Sequence, residues 1–371
     1  MPGHHHKAFA NHQRGVALLV FLALVLMAAS YALLKRLNAS TVQVARQSDD
    51  RALLGEARSA LLGYALASTT RPGELPCPDS DGDGLSDGAG PCAGYVGRLP
   101  WQTLGLAELR DSAGEQLWYV LDAAFDSSAA INSDSLATLT LDGGATPMVA
   151  IVFAPGAALN GQGRSVAQQQ NVARYLEDDN ADADVNFVSQ SANDFNDLVL
   201  GIPQDTFLQA IERRVLQEWV SRLNDYYSAN NYYPHAAALN TTTCDSSQTQ
   251  GLLPQAIAAG CPGEADWVAR PDWPAWFWAD GWNNQLWYAP APACTQATPN
   301  CSGAPFVVLD GSDESGLLLS AGAARLPAQN RSPSDDVNDL LDSVENTNSD
   351  LVFNTVPLDA ANNDQIRALI P

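Results

Sequence analysis

Asp79, Asp81, Asp83 and Asp87 occupy relative positions 1, 3, 5 and 9 of the run DSDGDGLSD, and Gly84 occupies position 6. Alternate side chains of a tight loop converge their oxygens on one point, and a glycine at position 6 lets the chain reverse, so the pattern suits Ca²⁺. Position 12 is Gly90, where a full helix-loop-helix site carries a bidentate Glu, so the loop needs a further oxygen from elsewhere. Cys77 and Cys92 bracket the run, and a bond between them would pre-order it. The plainer alternative is a solvated Asp/Gly turn. A second acidic stretch, with Asp178, Asn180, Asp182 and Asp184 spaced by two, lacks the turn glycine and reads as an exposed loop or a weak second cation site.

Trp267, Trp273, Trp276, Trp278 and Trp282 crowd one Pro-punctuated stretch. Such rings either fill the core of a loop-rich domain or form platforms that stack on sugars and partner surfaces. The 42 acidic residues outweigh 19 basic ones, for a formal charge of -23. A surface of that sign repels phosphate backbones, so nucleic acid is not a partner of the folded part, whereas divalent cations are suitable ones.

The six cysteines fall as Cys77/Cys92, Cys244/Cys261 and Cys294/Cys301, each pair close in sequence. The six cysteines formally allow fifteen pairings, and neighbour pairing is the simplest. None has CxxC spacing, and the Pro, Gly and Asp between them suit stapled loops in an oxidising compartment.

Val16 to Leu34 is an unbroken apolar run, long enough as a helix to cross or anchor in a bilayer. A secretory signal is cut after its apolar region at small residues, whereas here Arg14-Gly15 stands immediately before it. The junction Arg14-Gly15-Val16-Ala17-Leu18-Leu19-Val20 resembles the start of type IV pilins and type II secretion pseudopilins. That resemblance implies cleavage between Gly15 and Val16 by a prepilin peptidase, and assembly with other pilin-like subunits. The family's fifth-position glutamate is Val20 here, and its aromatic first residue is Val16, which within the family points to a minor or tip subunit. An uncleaved signal anchor is the alternative for the same run. Basic residues flank both ends, so charge does not orient it.

With a leader ending at Gly15 removed, His235 is the last histidine left, so no two-histidine zinc site forms and any Ser-His-Asp triad rests on it. No GxSxG elbow, HExxH helix or phosphate loop occurs. The chain therefore reads as a non-enzyme, and acidic pairs leave only a weaker hydrolase reading.

These residues must be held by elements, and the elements repeat. Gln116-Leu117-Trp118-Tyr119 recurs as Gln285-Leu286-Trp287-Tyr288, Gly156-Ala157-Ala158 as Gly322-Ala323-Ala324, and Arg164-Ser165 as Arg331-Ser332. Asn196-Asp197-Leu198-Val199-Leu200 is matched here to the segment from Asn348 to Phe353. Leu53, Leu54, Ala57, Ala60, Leu61 and Tyr64 carry helical spacing, as do Phe207, Leu208, Ile211, Val215, Trp219, Val220, Leu223 and Tyr226. Short β-branched or aromatic runs at 117–121, 148–153, 286–288 and 306–309 follow as strands.

The expected fold is α+β, a long N-terminal hydrophobic helix followed by two tandem pilin-like heads, each a helix on a small antiparallel sheet. The expected divisions are a leader at 1–15, a stem helix at 16–50, and heads at 51–203 and 204–371. The expected place is the bacterial inner membrane, single-pass, with heads in the periplasm or on an extracellular filament. The expected role is a structural minor subunit at or near a filament tip, with a surface adhesin using the Trp-rich second head as the alternative.

Overall fold

In the computed structural model, residues 12–371 are described except 183, 240, 257–260, 271, 326–328, 330, 332–334, 349 and 360. Side chains at 12–17, 33–34, 36–43 and 262 also lie outside the description. Residues Met1–Leu53 and Leu54–Pro371 cluster as two compact units.

Helix α1 spans His12–Ala67. Its composition is Ala- and Leu-rich, with neither Gly nor Pro between Val16 and Leu54, which favours an unbroken helix. In the first unit, Leu18, Leu19, Phe21, Leu22, Leu24, Leu26 and Met27 are all exposed. In the second, Leu54, Ala57, Leu61 and Ala65 form a buried stripe at helical spacing.

The expectation of a membrane-spanning stem is corrected here. Among the described residues no helix is long and apolar enough to cross a membrane. Side chains are described only for Leu18–Ala32 of the apolar run. The expected single-pass inner-membrane location falls with it.

The second unit is α+β with sheet predominating. Its elements are β1 (Val96–Arg98), β2 (Trp118–Leu121), β3 (Thr140–Leu141), β4 (Met148–Ala154), β5 (Asn186–Phe187), β6 (Leu198–Pro203) and α2 (Gln204–Asn230). There follow β7 (Gly251–Leu252), α3 (Ala265–Val268), α4 (Ala275–Ala279), β8 (Leu286–Pro290), β9 (Val307–Leu309) and β10 (Ser312–Glu314). The chain closes with β11 (Gly316–Ser320), β12 (Val352–Phe353) and β13 (Gln365–Ala368).

Two antiparallel sheets share one plan. The first runs β1-β2-β4-β6 and the second β7-β8-β11-β13. Trp118 faces Phe153 across β2 and β4, and Trp287 faces Leu319 across β8 and β11. A small parallel pair accompanies each sheet, β3 with β5 and β9 with β12. Trp118, Val120, Ile151, Phe153, Tyr175 and Phe187 form one buried cluster of the first half.

These halves are not two tandem pilin-like heads, which corrects the expected fold. Helix α2 packs on β11 and β13 and also meets β4 and β6, so a single helix serves both sheets. Polar side chains cross as well. Arg71 Nε pairs with Asp280 Oδ2 at 2.9 Å, Asn132 Nδ2 donates to Asp280 O at 2.6 Å, and Arg331 Nη1 pairs with Asp134 Oδ1 at 3.0 Å. Shared burial and crossed charges make Leu54–Pro371 one body.

Candidate functional site

The acidic loop lies between two cysteines joined by the Cys77–Cys92 disulfide, and Cys244–Cys261 and Cys294–Cys301 complete the neighbour pairing. Asp79 is 1% exposed and directs the loop with both carboxylate oxygens. Oδ1 accepts from the N–H of Gly82 at 2.6 Å and of Asp81 at 3.1 Å, while Oδ2 accepts from Gly84 N–H at 2.7 Å. Asp81 and Asp83 each cap the residue two further on with one oxygen, and among the described residues the other oxygen meets no protein donor. Gly84 has φ +88°, and a Cβ there would stand 2.4 Å from the Trp101 indole, so this reversal needs glycine on two counts.

Asp79, Asp81 and Asp83 bring one oxygen each within 4.8 Å of one another. Asp87 does not join them: its Oδ2 accepts from Ser80 N–H at 2.7 Å and closes the loop. Burial raises the Asp79 pKa above its ordinary value, with the charges of Asp83 and Asp81 adding to the rise and the backbone donors opposing it. Three carboxylates gathered in this way suit a hard cation such as Ca²⁺, which would relieve that mutual repulsion.

In the other acidic stretch, Asn180 is buried and bonds Val188 and Asp197, so that side chain is structural. The Trp-rich segment is largely core. Trp267, Trp276 and Trp282 are buried, and Trp273 and Trp278 half-buried. The rings gather on α2 around Trp219, whose centroid lies 3.9 Å from Phe277 and 5.8 Å from Trp273.

His235 Nδ1 lies 2.5 Å from the buried Glu264, with Cys261 alongside. Cys261 is spent in its disulfide, so this group lacks a thiolate ligand. The cut expected between Gly15 and Val16 falls in helical backbone whose side chains lie outside the described residues, as do residues 1–11.

A duplicated arginine clamp was only half visible in the repeats. Arg164 donates to Gly156 O, Gln162 Oε1 and Arg174 O, and Arg331 donates to the equivalent Gly322 O, Gln329 Oε1 and Asp339 O. Beside them, Asp197 Oδ2 accepts from Glu177 N–H and Asp364 Oδ2 from Asp342 N–H. Asn196 Nδ2 reaches Ala157 O just as Asn363 Nδ2 reaches Ala323 O. Asn196-Asp197 therefore corresponds to Asn363-Asp364, and the segment ending at Phe353 corresponds instead to β5. Short polar dipeptides recur too often to fix such a match without the contacts.

Asp197 is pushed up to about 8 by burial and then by the charge of Glu177, and Asp364 to about 7 by burial and then by the charge of Asp342. Both folded values lie above the unfolded value of about 3.9. The stability these groups confer is therefore complete below about pH 4 and is lost as pH rises through about 7 to 8. Replacing both, Asp197→Asn with Asp364→Asn, is expected to flatten the decline of Tm between pH 5 and 9 and to stabilise the alkaline end by a few kcal/mol. Scans of Tm against pH for both proteins check it, and parallel curves would refute it.

No protein-family model, curated protein or solved structure matches the chain.

Proposed function

We propose that this chain is a non-enzymatic structural subunit of a filament of the pilin or pseudopilin kind, of the minor or tip class. The observation carrying this reading is the exposed apolar surface of α1. Leu18, Leu19, Phe21, Leu22, Leu24, Val25, Leu26, Met27 and Tyr31 are each 46–69% exposed. An apolar surface of this extent needs cover, and a bundle of like helices from neighbouring subunits supplies it by side-chain interdigitation. The Arg14-Gly15-Val16 junction supports the same reading through its likeness to prepilin leaders. Mass spectrometry of the mature amino terminus tests it: Val16 is expected first in cells with prepilin peptidase, and an intact leader with and without the enzyme would refute processing.

Ca²⁺ belongs to this reading as a brace for the Asp79–Asp83 loop, supported by the three converging carboxylates. At a hundredfold excess over its Kd, Ca²⁺ is expected to stabilise the fold by about 2.7 kcal/mol. A chelator should reverse the rise in Tm, and Asp81→Asn with Asp83→Asn should abolish it. An unchanged Tm in the unmodified protein would remove the cation from the account.

A further inference from the structure

Arg98, in β1, is 7% exposed, and its guanidinium is short of acceptors. Nη2 donates to Gln169 O at 2.7 Å, while the carbon centre lies 5.0 Å from the Trp118 ring and 4.7 Å from the Tyr175 ring. Two aromatic faces thus hold the plane, and among the described residues no carboxylate lies within ion-pair distance of it. Buried cations are ordinarily paired, because an unpaired one forfeits its hydration without replacement.

Arg98 borders a cavity of about 230 Å³ that Asp81, Arg110, Glu115, Gln116 and Tyr175 also line. Arg110 is held at its rim by Glu108, and Glu115 is neutralised by Arg164 at 3.1 Å. Asp81 remains as the one lining carboxylate without a cationic partner among the described residues.

We propose that this cavity is a binding site for a single carboxylate, received on the free edge of Arg98. The planar fork of a guanidinium matches the two oxygens of a carboxylate, and the volume admits one such group with a short stem. Asp81 opposes the anion, so the site strengthens when Asp81 is neutralised. Loading the acidic loop with Ca²⁺ does this in the native chain, and that coupling alone rests on the cation reading above.

The test uses the full chain with ¹⁵N-labelled arginine, following the Arg98 Nε–H resonance assigned through Arg98→Lys. The probes are acetate and the blocked peptide acetyl-Gly-Glu-Gly-amide, against chloride at equal ionic strength. A saturable shift of that resonance is expected, about tenfold tighter in Asp81→Asn.

A response to the peptide but not to acetate assigns the site to an acidic side chain of a partner, and an equal response assigns it to a small free acid. Tightening in Asp81→Asn without any effect of Ca²⁺ on the unmodified chain sustains the site and removes the cation. Absence of saturation in the unmodified chain, with Ca²⁺ and in Asp81→Asn, or an equal response to chloride, overturns the site.

Discussion

Arg331→Ala is expected to destabilise the protein by about 3–5 kcal/mol, because it strands several acceptors at once and each costs about 1–3 kcal/mol where buried. The Arg331 side chain is 5% exposed and ties together parts of the chain far apart in sequence. It pairs with Asp134, donates to Gln285 Oε1 at 2.8 Å and reaches the carbonyls of Ala321, Gly322, Asp339 and Leu340. Truncation strands those acceptors and leaves Asp134 without its cation, although Gln285 Nε2 and Ala324 N–H still donate to it. Lysine restores charge but not the fork, so Arg331→Lys recovers only part of the loss. Urea midpoints of the two variants measure the effect, and a loss below about 1 kcal/mol would place the clamp among surface pairs.

Trp219→Ala should cost a similar amount, about 3–5 kcal/mol, for a different reason. Trp219 is fully buried on α2 and touches the rings of Trp267, Trp273, Phe277 and Trp278. Its removal opens a cavity under the Trp-rich segment that rigid neighbouring rings fill poorly. Trp278, half-buried at the edge of the same cluster, should lose distinctly less on truncation. Equal losses at the two positions would indicate that the rings do not form one packed unit.

Much of the architecture was legible because it rests on periodicity. The α2 stripe from Phe207 to Tyr226 is buried as its spacing required, and the strands around Trp118, Met148, Leu286 and Val307 stand where aromatic and β-branched residues concentrate. The cysteine pairs were readable because each closes a short loop.

Local pattern carries no information about which surfaces meet, and there the reading failed. Two similar stretches suggested two separate heads, yet Asp134 and Asp280 are acidic residues in exposed-looking turns whose partners lie about one repeat away. Arg98 carries no signal in the sequence, because Trp118 and Tyr175 meet it only in the folded chain. The acidic loop was half legible: alternation brought Asp79, Asp81 and Asp83 together, whereas Asp87 was taken by the Ser80 amide.

The apolar surface of α1 is the point on which the functional account turns, and photo-crosslinking tests it most directly. With a benzophenone side chain in place of Leu22, irradiation of intact cells should yield adducts to the corresponding helices of other filament subunits. Adducts to lipid alone, or none to another subunit, would contradict the account.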